Sequence, residues 1–335
     1  MKYTKLGKSG MTVSKVCIGT MHFGGPTSEE DAFKIMDKAV EMGINFFDTA
    51  NVYGGAGGRG KSEEIIGKWF KSRTGSRDRV VLATKVYGKM VEGEIPNEEA
   101  GISTYKVRKH VNDSLQRLQT DHIDLYQVHH VDRHITPEEF WGTFENIISS
   151  GKVLYMGSSN YSGWELAKFQ MSALQRGSVG FISEQTMYSL LCRAPELELL
   201  PAAEDFGVGV IPYMPLAGGL LTGKKKSVEK SRTASVENEY GIYLGDSNEQ
   251  MTSFSSLCKE LGETESVVAI AWTLAQRAVA SPIVGVRTLA HLEGLDRAAE
   301  LVLDEATLAK LNVIFDINRG RPLRSGKQAP EAYAW

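Results

Sequence analysis

Short apolar segments and helical patterns alternate along almost the whole chain, and this regularity limits the possible folds more than any other feature. Strand segments that are nearly all apolar are typical of parallel strands covered on both faces. Eight strand–helix units of about 30 residues predict an α/β fold, the closed (β/α)8 or TIM barrel, as a single domain over residues 1–335. The predicted strands are Val16–Gly19, Asn45–Asp48, Val80–Lys85, Ile123–His129, Val153–Gly157, Phe181–Gln185, Val208–Pro212 and Pro282–Gly285.

Three further segments lie outside these units. Tyr3–Leu6 and Thr12–Val13 flank a turn sequence and predict an N-terminal β-hairpin. Residues 224–250 are polar and lysine-rich and predict a long loop after strand seven, and a loop of this length is usually functional or mobile. A C-terminal tail over 316–335 follows the last predicted helix. The predicted helices are 28–42, one from 62, 103–118, 137–150, one around 164–169, 195–206, 251–261, 267–278, 290–299 and 305–315.

Three consecutive predicted strands end in a charged or titratable side chain, namely Asp48, Lys85 and His129. A fourth such residue, Tyr53, follows Asp48 in a glycine-rich loop. Catalytic residues of this barrel come from the carboxyl ends of the strands and the loops after them, which meet at one face. A buried carboxylate is costly unless it is paired or functional. The four side chains therefore predict one site at that face.

These four residue types suit the reduction of a carbonyl group. Hydride transfer leaves an oxyanion that needs a proton, and a tyrosine with an ordinary pKa of about 10 is a poor donor near neutrality. Lys85 would lower the pKa of Tyr53, Asp48 would keep Lys85 charged, and His129 would orient the carbonyl oxygen. The alternative interpretation is a buried Asp–Lys pair that closes the barrel, with Tyr53 and His129 as ordinary pocket residues.

Charge and cysteine content bear on the class of partner. The net charge of −3 and pI of about 6.2 give no electrostatic reason to expect nucleic acid or an anionic membrane. Apolar stretches fall short of the ~18 residues that span a bilayer, and Met1–Lys8 lacks the hydrophobic region of a signal peptide. Cys17, Cys192 and Cys258 are widely spaced, which favours reduced thiols in a cytoplasmic protein. Oligomerisation is compatible with the sequence but is not specified by it.

Several motifs resemble the signature of the aldo-keto reductase superfamily, in order and at the family's spacing. The resemblance implies the same barrel, a nicotinamide dinucleotide, usually NADPH, and a catalytic tetrad of Asp48, Tyr53, Lys85 and His129 with the tyrosine as proton donor. The implied substrate is a small-molecule carbonyl compound. The motifs are Phe46-Phe47-Asp48-Thr49-Ala50 with Tyr53-Gly54, Ser62-Glu63, Ala83-Thr84-Lys85, Asp124–His129, Gly157–Asn160, Gln185, Tyr213–Lys224 and Gly285-Val286-Arg287.

The same resemblance implies where the cofactor lies. Ser159, Asn160 and Gln185 would hold the nicotinamide carboxamide, because their side chains offer both donors and acceptors, and Tyr213 would stack on the ring. Arg287 would meet the 2′-phosphate, since the guanidinium fork suits phosphate. The full implied set is Thr20, Met21, Asp48, Ser159, Asn160, Gln185, Tyr213, Met214, Pro215, Leu216, Ala217, Gly218, Gly219, Lys224, Arg232, Gly285, Arg287, His291 and Leu295.

Some positions depart from the family's pattern. His291 stands where relatives often have Gln or Arg, and Leu295 where they often have Asn, so NADH is the alternative cofactor. Lys224 and Arg232 would meet phosphates, or else belong to a solvated basic loop. The family includes potassium-channel β-subunits, which commonly have Asn at the histidine position. His129 therefore favours a reductase over a nicotinamide-binding regulatory subunit, and a barrel without cofactor is a third possibility.

The residues expected around the substrate are partly polar. The resemblance assigns Met21, Tyr53, Tyr87, His129 and His130 to this pocket. Relatives that act on aromatic or steroid carbonyls often have Trp in place of Tyr87 and His130. Polar groups left unpaired against an apolar ligand cost roughly 1–3 kcal/mol each, so a sugar or keto-sugar is expected. In the alternative, His130 bonds to the nearby Asp132 or faces solvent, and the pocket is apolar.

Two motifs have a simpler explanation than the one they suggest. Gly55–Gly60 fits GxGxxG, but a Rossmann unit needs the first glycine close behind the strand and an acidic residue at the end of the next strand, which here ends in Lys85. A flexible rim loop is the favoured interpretation. The histidine-rich segment His129–His134 suggests a metal site, but adjacent residues of an extended segment point in opposite directions. No metal is therefore expected.

Overall fold

The computed structural model describes residues 1–223 and 247–316, and it confirms the predicted (β/α)8 class. An antiparallel hairpin of β1 (Tyr3–Lys5) and β2 (Thr12–Ser14) precedes eight parallel strands, as predicted. The parallel strands are β3 (Cys17–Gly19), β4 (Phe46–Asp48), β5 (Val81–Val86), β6 (Ile123–Val128), β7 (Val153–Ser159), β8 (Phe181–Gln185), β9 (Gly209–Val210) and β10 (Ile283–Gly285).

Neighbouring strands follow the order of the chain from β3 to β9, and β10 returns to lie beside β3. Between β9 and β10 the contact consists of single parallel bridges, Val210 with Val279 and Tyr213 with Ile283. The amide of Ile283 also donates to Pro212 O at 2.7 Å. Since all eight strands point the same way around this curled sheet, their carboxyl ends form a ring at one face.

Helices surround the sheet, and several begin at a side-chain cap. The hydroxyls of Ser28, Ser103, Thr136 and Ser162 each accept a hydrogen bond from an amide in the first turn, which otherwise lacks a partner. Ser162 and Glu165 form a reciprocal capping box. The helices are Glu29–Glu41, Lys61–Ser72, Thr104–Leu118, Pro137–Ser149, Gly163–Gln175, Leu199–Phe206, Ser247–Leu261, Glu265–Leu274, Leu295–Glu300 and Glu305–Ile314.

Two predicted helices are interrupted. The helix expected over 195–206 is a 3-10 turn, Ala194–Leu197, followed by Leu199–Phe206, because Glu198 between them has non-helical φ and ψ of −145° and −52°. The helix expected over 290–299 is a 3-10 turn, Leu289–Leu292, followed by Leu295–Glu300. There the break coincides with Gly294, whose φ of 78° is readily adopted by glycine.

The region after strand seven also differs from its predicted extent. The loop predicted over 224–250 ends earlier, because the next helix already begins at Ser247. The following helix begins at Glu265 and not at 267, since the side chain of Thr264 caps it there, and it ends at Leu274 and not at 278. The rest of the predicted loop and residues 317–335 of the tail lie outside the described residues.

Apolar side chains fill the interior of the barrel toward the amino-terminal ends of the strands. Leu6 and Val13 of the hairpin pack in one buried cluster with Phe46 and Ile182 of the barrel strands. The hairpin thus covers the amino-terminal end of the barrel. Its turn approaches so closely that a Cβ atom on Gly7, which has φ of 58°, would lie 2.5 Å from Ile182 O. This packing leaves the carboxyl ends of the strands for polar side chains.

The lengths of the helices and the state of the cysteines bear on the predictions made from composition. Among the helices of residues 1–223 and 247–316, none is long and apolar enough to cross a bilayer. Cys17, Cys192 and Cys258 are buried free thiols, in agreement with the expected reduced state.

Candidate active site

Three adjacent strands bring the predicted Asp, Lys and His side chains to one end of the barrel. Asp48 is the last residue of β4, Lys85 lies near the end of β5, and His129 directly follows β6. In the parallel register Asp48 is level with Ala83, and Lys85 is level with Gln127. Since successive side chains of a strand alternate between its faces, Ala83 and Lys85 share the inward face of β5. The convergence expected from the strand ends is present in the structure.

Lys85 uses all three hydrogens of its ammonium group within the site. Nζ donates to Asp48 Oδ2 at 2.6 Å, to Thr49 O at 2.9 Å and to Tyr53 OH at 3.3 Å. The lysine is 0 % exposed, so these protein groups replace water around the charge. Nζ also lies 4.7 Å from the centre of the Tyr53 ring. The ammonium is therefore fixed between a carboxylate and a phenol.

Two amides hold the other oxygen of Asp48. Gln127 Nε2 donates to Asp48 Oδ1 at 2.9 Å, and Gln185 Nε2 donates to the same oxygen at 3.0 Å. Sequence reasoning assigned no role to Gln127. The available signal was its spacing, because it lies two residues before His129 and so on the same inward face. A polar residue on the same inward face as the apolar Leu125 needs an explanation.

Tyr53 reaches the site from the loop after β4. Its amide donates to Ala50 O at 3.0 Å, and its carbonyl accepts from Ser62 N at 3.1 Å, which fixes the turn before the helix Lys61–Ser72. The Tyr53 ring meets the His129 ring edge-on, with centres 5.6 Å apart and planes at 82°. Both residues are partly exposed. An oxygen atom bound between their polar tips would receive hydrogen bonds from both.

Loss of solvation decides the protonation states here. Burial raises the pKa of Tyr53, and the neighbouring Lys85 ammonium lowers it by less, so the net shift is opposite in sign to the one predicted from the sequence. Burial opposes the charge of Lys85, but Asp48 and Tyr53 outweigh it and raise the lysine pKa. Burial, with Lys85 and His130 adding to it, holds the pKa of His129 well below its usual range. At neutral pH the tyrosine is protonated, the lysine charged and the histidine neutral.

A cleft of about 430 Å³ opens beside these residues. Tyr53 and His129 of the predicted tetrad line it, and so do Arg287 and His291. A concave site with apolar walls and a few convergent polar groups is typical of ligand binding. The lining residues are Gly19, Met21, His22, Asp48, Tyr53, His129, Ser159, Asn160, Gln185, Tyr213, Met214, Pro215, Leu216, Gly218, Gly219, Thr222, Ile283, Val284, Gly285, Arg287 and His291.

The predicted carboxamide-binding residues lie together on this wall. Asn160 has φ of 58°, and its amide donates to Gln185 O at 3.0 Å. Asn160 Nδ2 donates to Ser159 Oγ and to His129 O, both at 3.1 Å, and Tyr213 OH donates to Asn160 Oδ1 at 3.0 Å. A hydroxyl, two amides and an aromatic ring on one wall match the donors, acceptors and flat face of a nicotinamide. The residues present fit that group.

The segment after β9 brings backbone to the wall of the cleft. Met214 and Ala217 have φ of 57° and 46°, and Gly218 and Gly219 have φ of 67° and 97°. The two glycines lack side chains that would separate their backbone from a ligand. The amides of Ala217 and Gly219 donate within the turn, to Met214 O and Leu216 O, both at 2.8 Å, and so hold its shape. The resemblance implies that Leu216 to Gly219 wrap the pyrophosphate of the cofactor, and Leu216, Gly218 and Gly219 line the cleft.

Basic residues also line the cleft. Arg287 and His291 line it, as the resemblance implies, and Arg287 Nε lies 3.5 Å from His22 Nε2. His22 was missed from the sequence, although it directly follows the implied residue Met21. Lys224 and Arg232, the other two predicted phosphate ligands, lie outside the part of the chain that the structure describes.

Three implied cofactor residues do not line the cleft. Thr20 is buried, and its hydroxyl donates to Asp48 O at 3.0 Å and lies 2.9 Å from Ser62 Oγ. Ala217 and Leu295 are 0 % and 3 % exposed and pack in the hydrophobic core. Their side chains therefore support the site from behind and are not placed to contact a ligand in the cleft.

Tyr87 and His130 are not among the residues that line the cleft, although the sequence placed them around the substrate. They are neighbours with ring centres 5.5 Å apart, and both are partly exposed. Asp132, the partner considered for His130, accepts hydrogen bonds from Ile102 N and His134 N, both at 3.0 Å. Each carboxylate oxygen of Asp132 thus accepts a hydrogen bond from a backbone amide of the loops beside the site.

The structure also bears on the two motifs with more than one interpretation, the glycine-rich Gly55–Gly60 and the histidine-rich His129–His134. Residues Gly55–Gly57 form a 3-10 turn, and Gly57 N donates to Gly24 O at 3.0 Å, outside the wall of the cleft. Over residues 1–223 and 247–316, no group of three or more His, Cys, Asp or Glu side chains could hold a metal ion.

Fold and site together define a class of protein. A parallel barrel that presents Asp48, Lys85, His129 and a nearby tyrosine beside a cleft fitting nicotinamide is suited to NAD(P)H-dependent oxidoreduction of carbonyl compounds. The chain belongs to the aldo/keto reductase family, whose model matches residues 15–315.

Individual relatives agree with this assignment. The chain is 49% identical, over 100% of both chains, to an uncharacterized oxidoreductase, YrpG, of Bacillus subtilis. It is 33% identical to versiconal hemiacetal acetate reductase of Aspergillus parasiticus, over 86% of this chain and 89% of that one. It is 31% identical to a putative aryl-alcohol dehydrogenase of Schizosaccharomyces pombe, over 92% and 94%. The chain is therefore an NAD(P)H-dependent reductase of this family.

Proposed function

We propose that this enzyme reduces an aldehyde or ketone to an alcohol, with NADPH as hydride donor and Tyr53 as proton donor. One observation carries the proposal. A buried ammonium, Lys85 Nζ, joins the Asp48 carboxylate at 2.6 Å to the Tyr53 hydroxyl at 3.3 Å, at the end of the cleft. If Asp48 and Lys85 formed only a structural ion pair, the lysine would not need to contact the Tyr53 hydroxyl. Tyr53 also lines the cleft, where a ligand could reach it.

Each residue of the tetrad has a separate task in this mechanism. A nicotinamide held by Ser159, Asn160 and Gln185 would supply the hydride for the carbonyl carbon. Tyr53 gives its proton to the carbonyl oxygen, and the Lys85 ammonium stabilises the phenolate that forms, because charge interactions are strong where water is excluded. Asp48 keeps Lys85 protonated and oriented. His129, neutral at physiological pH, donates a hydrogen bond that orients the carbonyl oxygen.

Turnover and its dependence on Tyr53 test this function. NADPH oxidation is followed with a panel of aldehydes, dicarbonyls and keto-sugars, for the wild type and for Tyr53→Phe. Tyr105→Phe is the control, because Tyr105 is 59% exposed on the outer surface. Loss of turnover in Tyr53→Phe alone supports the proposal. Binding of NADPH without turnover of any carbonyl would instead favour a regulatory subunit.

For the substrate, we propose a hydroxylated carbonyl compound such as a sugar or keto-sugar. Tyr87 and His130 do not line the cleft, but their rings lie 5.5 Å apart on the loops beside it, so a substrate that extends beyond His129 would meet their polar tips. The name of the putative aryl-alcohol dehydrogenase, 31% identical, favours an aromatic aldehyde as the second candidate. Comparing kcat/KM for matched hydroxylated and aromatic aldehydes decides between them. Higher values for the aromatic series, undiminished in His130→Trp, would exclude the polar substrate.

A further inference from the structure

Gln127 closes a ring of hydrogen bonds beneath the cleft. Its Nε2 donates to Asp48 Oδ1 at 2.9 Å, and its Oε1 accepts from Gln185 Nε2 at 3.0 Å. Gln185 Nε2 completes the ring by donating to Asp48 Oδ1 at 3.0 Å. Gln127 and Gln185 are 0 % and 3 % exposed, so water does not compete for these bonds. The ring joins the Asp48–Lys85 pair to the wall proposed for the nicotinamide.

The charge of Asp48 fixes which way both amides face. A carboxylate held by the Lys85 ammonium can only accept, so both glutamines must direct their NH2 groups at Oδ1. Gln127 then has its carbonyl oxygen turned to Gln185 and takes up that residue's second amide hydrogen. With both hydrogens used, the only polar atom that the Gln185 side chain retains for a ligand is Oε1.

Ser159, beside Gln185 in the cleft, offers a hydrogen-bond donor where Gln185 offers an acceptor. Asn160 Nδ2 donates both hydrogens, to Ser159 Oγ and His129 O. The Ser159 hydroxyl accepts one of these bonds and keeps its own hydrogen for a ligand. A carboxamide carries one acceptor and one NH2 donor, which correspond to the Ser159 hydroxyl and Gln185 Oε1.

We propose that Gln127 is a positioning residue for the cofactor: together with Asp48 it holds the Gln185 side chain in the one orientation that accepts from the nicotinamide carboxamide. The inference rests on the proposed use of a nicotinamide cofactor. Without Gln127, the Gln185 amide keeps its bond to Asp48 Oδ1 but loses the acceptor for its second hydrogen, so the plane of the amide is held at one point and not at two. The carboxamide is then bound less tightly, and the adenosine end of the cofactor is unaffected.

Two ligands distinguish binding of the nicotinamide end of the cofactor from binding of its adenosine end. Affinity for NADPH is measured by its fluorescence, and affinity for adenosine 2′,5′-bisphosphate, which lacks the nicotinamide, by calorimetry. Gln127→Met keeps the side-chain length and removes both hydrogen bonds. We expect roughly tenfold weaker NADPH binding, as for the loss of one or two hydrogen bonds, and unchanged binding of the bisphosphate. Tyr126→Phe is the control, since the buried Tyr126 hydroxyl on the same strand lacks a hydrogen-bond partner in the described structure.

The outcomes are distinguishable. Wild-type protein that binds no NADPH contradicts the proposed function itself. Wild-type binding with unchanged NADPH affinity in Gln127→Met overturns only the role of Gln127, as does an equal loss for both ligands. If Gln127→Met does not fold, Gln127→Asn replaces it, because its shorter amide cannot span Asp48 and Gln185, and the same selective loss is expected.

Discussion

At the scale of single residues, the contacts of Lys85 indicate a role in catalysis and not in cofactor binding. Its ammonium contacts Asp48, Thr49 O and Tyr53 OH, all on the tetrad side of the cleft. Lys85 is also absent from the residues that line the cleft. Its effect on a bound ligand must therefore pass through Tyr53 and Asp48.

Lys85→Met should consequently lower kcat by roughly 10²–10⁴, the range for general acid catalysis, with little change in NADPH affinity. Steady-state kinetics and fluorescence titration measure the two quantities. Lys34→Met is the control, because Lys34 belongs to an ion pair on the outer surface, 51% exposed. Weaker cofactor binding with unchanged kcat would show that Lys85 holds the dinucleotide and not the phenol.

The protonation states of Tyr53 and His129 predict a broad pH plateau for reduction. The proton donor must be protonated, and burial raises its pKa, so activity falls only as pH rises above the ordinary tyrosine value of 10.0. The histidine must be neutral, and burial lowers its pKa, so it is charged only well below the ordinary value of 6.5. The pH profile of kcat with saturating cofactor should be flat between these values. A falling limb centred between them would mean that another group is the proton donor.

Arg287, which lines the cleft, should select NADPH over NADH. Only NADPH has the 2′-phosphate that a guanidinium can bind through paired hydrogen bonds. Arg287→Ala is expected to weaken NADPH binding at least tenfold, as for the loss of a charge-assisted hydrogen bond, and to leave NADH nearly unchanged. The matched control is Arg277→Ala, since Arg277 is 86% exposed in a surface ion pair. Equal loss for both cofactors would remove Arg287 from the 2′-phosphate site.

At the scale of elements, helix contacts hold the loop that carries Tyr53. The helix Lys61–Ser72 follows this loop and packs against Thr104–Leu118. The contact is closest at Gly67, where a Cβ atom would lie 2.2 Å from Arg117 O. Arg117 also donates to the buried Glu63 at 2.7 Å. The small residue and the ion pair together set the position of the helix below Tyr53.

Gly67→Ala should destabilise the protein by about 1–3 kcal/mol, because the methyl group meets backbone that cannot move aside. Gly142→Ala is the matched control in the helix Pro137–Ser149, since nothing lies within 4 Å of a Cβ atom there. It should stabilise by about 0.5–1 kcal/mol through the lower entropy of the unfolded chain. Urea unfolding of both variants measures the free energies. A stabilised Gly67→Ala protein would contradict the close packing.

At the scale of the whole molecule, the cleft is formed by strand ends from most of the barrel and by loops from both halves of the chain. Asp48 and Gln185, which touch, are 137 residues apart in sequence. A ligand that binds across the cleft therefore stabilises the folded barrel as a unit.

NADPH should raise the Tm of the wild type by several degrees when present at about 100 times its Kd, where binding contributes about 2.7 kcal/mol. NADH at the same concentration should give a smaller rise, because it lacks the phosphate that Arg287 would bind. Thermal unfolding followed by circular dichroism measures both. An unchanged Tm at saturating NADPH would contradict binding to the folded state.

The sequence alone determined the barrel and the main polar side chains at its end. Eight apolar segments between helical patterns permit few folds, and the residue that ends a parallel strand is placed by that position alone. For this reason the convergence of Asp48, Lys85 and His129 was predictable. Local signals also determined helix starts such as Ser28 and Ser103, because a cap involves only neighbouring residues.

Only the tertiary structure decided how these side chains are held and charged. The ring of Asp48, Gln127 and Gln185 joins residues 58 to 137 positions apart, which no local pattern relates. The raised pKa of Tyr53 likewise depends on burial by the folded barrel, which outweighs the lowering effect of the Lys85 charge that the sequence predicted. Thr20 turns its hydroxyl toward Ser62, 42 positions away, because that partner exists only in the folded chain. Side-chain orientation and solvation follow from packing between distant segments, and packing is settled only when the barrel is assembled.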